Sequence, residues 1–368
     1  MNINKIIIYL LAGFMTLGAV DKVLGNKLGL GKKFEEGFMA MGSLALAMLG
    51  MISLAPVLAR FIEPVVVPLY RFFGADPSMF AGTFFANDMG GYPLALRLAE
   101  NPSAGLFSGL LIGAMMGATI VFTIPVALGI IEKKDHRFLA LGVLSGMITI
   151  PVGAFFGGIF AGFDVGMVLL NLIPISLVAL CIIAGLWKFP EAMINGFKYL
   201  GKFITALITL AAAAIIIETL TGIVLVPGMA PLADSLKIIG AITIILAGAY
   251  PMVCAITKFL KKPLLSVGKM MSVNDKSVAG FIASLANNIP MFGMLKEMDN
   301  RGKVLNIAFA VSAAFVFGDH LGFTAGVNPD MIFPVIAGKL IGGMTAIIVA
   351  WHVYGREAGS QEKTPFSL

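Results

Sequence analysis

The sequence predicts an all-α polytopic membrane protein, built as an inverted-topology repeat of two helical bundles with re-entrant or broken helices. Three observations predict it. Of 368 residues, 58% are apolar before the 43 glycines are counted and only 12% are charged, about half the charge of an ordinary globular chain. Apolar runs of twenty or more residues recur, the length a helix needs to cross hydrocarbon. Polar and glycine positions then repeat in order at an offset of 198 to 201 residues, as in carriers built from related halves. Together these exclude a soluble enzyme.

Backbone groups in lipid must bond within their own segment, so the runs are read as helices; the ten-residue alternating segments of a barrel do not occur. Full crossings are expected at residues 4–25, 36–60, 104–131, 138–163, 166–187, 202–226, 236–258, 303–327 and 331–353. The first run lacks a small-residue cleavage site and reads as a retained helix. Two shorter stretches, 82–98 and 278–295, are interrupted near their centres by polar residues with Gly or Pro and read as re-entrant or broken. With the N-terminus outside and neither short stretch spanning, 20 Lys and Arg residues fall in inside loops and 5 outside, as the positive-inside rule requires. The net charge of +6 is therefore a sign of topology. It is not read as a nucleic-acid footprint, which would gather the basic residues on one face. Cys181 and Cys254 sit in apolar runs without metal-ligand spacing, so no disulfide, metal or cofactor is expected.

The repeat aligns Arg60-Phe61 with Lys258-Phe259, Asp76 with Asn274 and Ala81-Gly82 with Ala279-Gly280. It continues with Ala86-Asn87-Asp88 on Ala286-Asn287-Asn288, Tyr92 on Phe292, Gly117 on Gly318 and Thr123 on Thr324. The expected organisation is a first transmembrane repeat over 1–165, a connecting helix and loop over 166–200, a second repeat over 201–354 and a C-terminal tail over 355–368. Each repeat holds four crossings and one interrupted segment. With the connecting helix between them, the second repeat enters from the opposite face and is inverted. Inverted repeats are the architecture of alternating-access carriers, and some channels share it.

Ionisable groups at membrane depth are costly and are site candidates by default. Asn87 and Asp88 precede Gly90-Gly91, which permit backbone turns; Asn287 and Asn288 precede Pro290, which removes a helix hydrogen bond. These two breaks either line a substrate path near the midplane or are packed loop tips. Asp319 and His320 lie between Gly318 and Gly322. The carboxylate suits a cation and the imidazole a proton, or the two form a satisfied pair that fixes helix packing, or a pair to Lys339. Lys339 either balances a buried acid or snorkels to an interface. Tyr92, Phe292 and Phe323, like Phe122, lie beside the polar breaks and offer ring faces to an ammonium group, with core packing the competing reading. No catalytic residues are expected, because no nucleophile–base arrangement and no His-Glu-x-x-His string occurs.

Several long strings carry a family resemblance. They are Phe34-Glu35-Glu36-Gly37-Phe38-Met39-Ala40-Met41-Gly42, Leu54-Ala55-Pro56-Val57-Leu58, Pro77-Ser78-Met79-Phe80-Ala81-Gly82, Leu285-Ala286-Asn287-Asn288-Ile289-Pro290-Met291-Phe292-Gly293-Met294 and Phe317-Gly318-Asp319-His320-Leu321-Gly322-Phe323. In these the chain resembles the ethanolamine-utilisation H family (EutH), from the first helix to about residue 350. The resemblance implies a multi-pass transporter of the bacterial inner membrane, with ethanolamine as substrate and membrane lipid as surroundings. The resemblance carries over no residue set; from the chemistry of the residues themselves, Asp88 or Asp319 is expected to face the ammonium, Asn87, Asn287 and Asn288 to bond the hydroxyl, and His320 to couple to either acid. A secondary carrier for another polar metabolite or ion, or a channel, is the alternative. A homo-oligomer and a coupling ion, proton or sodium, both stay open, and no nucleic-acid partner is expected.

Overall fold

The apolar runs become helices longer than the hydrocarbon demands. In the computed structural model, which describes residues 3–362, the order is α1 (Ile3–Val23), α2 (Leu30–Phe72), α3 (Met79–Phe84) and α4 (Tyr92–Leu98). Next come α5 (Pro102–Leu106) and two π-helical segments, Phe107–Gly117 and Thr119–Thr123, that run into α6 (Ile124–Ile130). Then follow α7 (His136–Phe160), α8 (Val165–Lys188), α9 (Pro190–Thr221) and α10 (Leu232–Met270). The chain ends with α11 (Asp275–Ala286), α12 (Asn288–Met294), α13 (Asn300–Ala313), α14 (Asp319–Val327) and α15 (Ile332–Glu362). Among the described residues, eight helical stretches are long and apolar enough to cross a membrane.

Eight rather than nine follows from one correction. Residues 303–327, expected as a single crossing, are two helices, α13 and α14. Between them Ala314 is extended (φ −56°, ψ 143°) and Phe315 is left-handed (φ 62°). Phe315 and Phe317 donate their backbone N–H groups to the Ser284 and Leu285 carbonyls at the end of α11, so the chain exchanges helical bonds for bonds to a neighbouring segment. The connecting loop expected before residue 202 is also absent: Phe189 alone separates α8 from α9. Pro190 occupies the first turn of α9, where a missing N–H costs nothing, so Lys198 and Lys202 stand on a helix. The crossing expected at 36–60 lengthens to 43 residues and contains Pro56, Pro64 and Pro68. The tail expected from 355 begins within α15; residues 363–368 lie outside the described residues.

Small residues decide how closely these helices approach. Gly153 and Gly157 of α7 lie against Gly338 and Gly342 of α15, so near that a Cβ on Gly153 would strike the Gly338 carbonyl. Without a hydrophobic drive between helices in lipid, such close backbone packing holds them together. Gly142 and Gly146 of α7 receive Ile307 and Val311 of α13 in the same way. α2 packs along α10, while α1 lies on α10 and α9 lies on α2.

The interrupted segments are pinned by matching bonds. The Ser108 hydroxyl donates to the Ser78 carbonyl at 2.5 Å, and the Asn306 amide donates to the Ser277 carbonyl at 3.0 Å. Asp76 accepts from the backbone N–H groups of Glu100 and Asn101 at 3.0 and 2.9 Å. At the other end Asn274 donates its backbone N–H to Asp299 at 2.9 Å. Acid and amide have exchanged places between 76/101 and 274/299.

Candidate functional site

Three chain breaks converge. In the first, Phe85 is extended (φ −134°, ψ 138°), and the chain re-enters helix through Gly90, whose φ of 92° suits glycine. In the second, Asn287 is extended between α11 and α12 and caps α12, accepting from the Ile289 N–H at 2.8 Å. The third is the Ala314–Gly318 stretch ahead of Asp319. Its approach to the second is close, with Gly318 lying directly on the Ala286 carbonyl.

A cavity of about 250 Å³ lies where they meet. Asp88 and Met89 enter it from the first break, Asn287 and Ile289 from the second, and Phe315, Asp319 and His320 from the third, with Ser43, Leu44 and Ala47 of α2 opposite. Four of the sequence-predicted residues, Asp88, Asn287, Asp319 and His320, therefore share one chamber although up to 232 positions separate them in the chain. Asn87 and Asn288 do not line it; both are fully buried beside it. Among the described residues, neither amide atom of Asn87 has a hydrogen-bond partner, and Asn288 donates to the Thr123 hydroxyl at 3.1 Å while its own oxygen stays unpartnered. Tyr92, Phe292 and Phe323 also stand back from the cavity. Tyr92 and Phe323 meet edge to face at 5.7 Å, and Phe292 is buried in the same apolar core.

The chamber's polar groups are incompletely satisfied. Asp319 accepts from the Tyr250 hydroxyl of α10 at 3.0 Å. His320 lies beside the Phe315 ring at 5.0 Å, and its Nδ1 has no partner. Asp319 and His320 are therefore not a mutually satisfied pair. Lys339 is 1% exposed and donates to the Ala114 carbonyl in the π-helical stretch, so it does not snorkel. The ion pairs among the described residues do not include it. Asp88 and Asp319 both line this space, whereas Lys339 is not among its lining residues.

Tyr250 escaped the sequence reading because one phenol in an apolar run is ordinary. The only signal was that a buried phenolic hydroxyl needs a partner. Its position matters: Tyr250 also lines a wider cavity of about 560 Å³ with Lys33, Glu36, Lys258 and Asn287. Asn287 lines both spaces, and Tyr250, on the wider one or vestibule, reaches Asp319 of the chamber through its hydroxyl.

Long apolar helices folded around broken helices, with polar tips that share a buried chamber, define a multi-pass membrane transport protein. The chain belongs to the EutH family: the family model described as ethanolamine utilisation protein, EutH, matches residues 3–353. A relative from Listeria monocytogenes, named probable ethanolamine permease EutH, is 58% identical over 97% of this chain and 95% of its own length. A relative of the same name from Salmonella typhimurium is 50% identical over 99% of this chain and 98% of its own. The uncharacterized protein YxeR of Bacillus subtilis is also 50% identical, over the same shares. No solved structure matches the chain.

Proposed function

We propose that the chain carries ethanolamine across the bacterial cytoplasmic membrane, by alternating access to the chamber between the broken helices. The observation that carries this reading is the shared 250 Å³ cavity holding two carboxylates, Asp88 and Asp319, with the Asn287 amide. Buried charge is tolerated where it is offset, and Lys339 supplies one positive charge toward two negative ones. A bound ammonium balances the remainder, which favours a small cation over an anion or a neutral solute. Its three N–H donors suit carboxylate oxygens, and the Asn287 amide can pair with a hydroxyl two carbons away. The names of the Listeria, Salmonella and Escherichia coli relatives point to the same substrate.

Residues 1–165 and 201–354 act in this reading as inverted repeats joined through 166–200, with the 82–98 and 278–295 segments re-entering from opposite faces. The paired anchors Ser108–Ser78 and Asn306–Ser277, and the acid–amide exchange at 76/101 and 274/299, support the repeat. The Tyr250–Asp319 bond then separates the chamber from the lysine-bearing vestibule, and access to that side requires it to break. In proteoliposomes, Asp319→Asn and Asp88→Asn are each expected to abolish saturable uptake of labelled ethanolamine. Wild-type uptake in both variants refutes the site. Choline keeps the positive charge but has no N–H donors, so competition by choline as strong as by ethanolamine would favour a general cation carrier.

A further inference from the structure

A third cavity, a groove of about 1210 Å³, runs along α9 between α2 and α6. Its residues on α9 extend from Lys198 to Ile216, a rise of about 27 Å at 1.5 Å per residue, close to the full hydrocarbon thickness. Leu46, Val126, Ile208 and Ile216 are typical of its walls. The hydroxyls that line it are already committed: Ser43 donates to the Ala40 carbonyl at 2.9 Å, Thr205 to Gly201 at 2.9 Å and Thr209 to Thr205 at 2.8 Å. The groove therefore offers a polar solute little to bond. At one end it carries Lys198 and Lys202, both exposed and spaced to share a face of α9. The charge rule puts this end on the cytoplasmic side. A long apolar trough ending in two cations matches a molecule with a hydrocarbon tail and an anionic head.

The inner wall of the groove has a second use. Ser43, Ala47, Met89 and Phe122 line both the groove and the chamber, so whatever fills the groove forms the flank of the chamber. We propose that an anionic phospholipid occupies it, its phosphate held by Lys198 and Lys202 and one acyl chain laid along α9 against Met89 and Phe122. The lipid closes the side of the chamber toward the bilayer. That consequence for transport rests on the proposed chamber, whereas binding of the lipid does not.

The test is lipid retention by the purified full chain, read by native mass spectrometry after exchange into detergent containing equal phosphatidylglycerol and phosphatidylethanolamine. Wild type is expected to retain phosphatidylglycerol selectively. Lys198→Gln/Lys202→Gln is expected to hold it roughly thirtyfold less tightly, from the effect of two lysines at an anionic membrane surface. Lys188→Gln, at the end of α8 and outside the groove, is expected to retain it as wild type does. Ala206→Trp, which fills the trough and leaves both lysines, is expected to lose the lipid as well. Equal retention of the two lipids by wild type, or unchanged phosphatidylglycerol on the double variant, overturns the assignment. An intact lipid signature in a chain that fails to move ethanolamine would instead refute the transport reading and leave this one standing.

Discussion

Lys339 sits in an environment that its chemistry disfavours. A lysine buried to 1% exposure, with a backbone carbonyl as its hydrogen-bond acceptor, is kept charged only if nearby carboxylates offset its lost hydration. In the proposed site Asp88 and Asp319 are the carboxylates for that role, without a contact ion pair to Lys339. Replacing Lys339 by Met should leave two carboxylates for the substrate ammonium to offset alone. KM for ethanolamine is then expected to fall by roughly tenfold, which corresponds to about 1.4 kcal/mol of removed charge repulsion, with slower turnover as release becomes limiting. Initial-rate curves against concentration check this, and a raised KM would contradict it. Tyr250→Phe removes a bond to a charged acceptor, and a fall in folding stability of about 1.5–3 kcal/mol is expected, measurable by thermal unfolding in detergent. Asp88, Asp319 and His320 were legible in the sequence because an ionisable group within an apolar run is conspicuous. Tyr250 and the Ala114 carbonyl were not, since a tyrosine in a crossing is common and a carbonyl has no sequence letter.

At the scale of elements, the helices were legible and their ends were not. Apolar periodicity locates a crossing, but helix termini depend on backbone partners that lie elsewhere in the fold. The run from 303 to 327 looks continuous because its letters are apolar, yet the Ser284 and Leu285 carbonyls draw Phe315 and Phe317 out of the helix. In the interrupted segments near 87 and 287, the polar residues themselves announced the break. Gly318 is where this arrangement tolerates least change, because a Cβ there would meet the Ala286 backbone, which cannot swing aside as a side chain can. Gly318→Ala is expected to destabilise the protein by about 1–3 kcal/mol, the usual cost of overpacking. Gly293→Ala, at a position with open space around it, is expected to change little. Thermal unfolding of the two variants side by side is the measurement, and equal shifts would mean that the close approach of the second and third breaks is unimportant.

For the whole molecule, the proposed inverted repeat agrees with the topology that the balance of basic residues favours. Basic residues gather in the loops that an inverted second half would place inside, and an acid in one half stands where the other has an amide. One labelling experiment can test their common consequence. Arg97 and Lys296 are both exposed, each beside the end of its interrupted segment, and the proposed repeat would make them counterparts. In an inverted pair they face opposite sides of the membrane. With Cys181 and Cys254 replaced, Arg97→Cys is expected to react with a membrane-impermeant maleimide in intact cells, and Lys296→Cys only once the membrane is opened. Neither substitution touches the chamber, so transport by both variants should confirm that the labelled proteins are folded. If both cysteines react from the same side in transport-competent protein, the halves are not inverted. The broken helices would then approach the chamber from one face, and alternating access would need a different moving element.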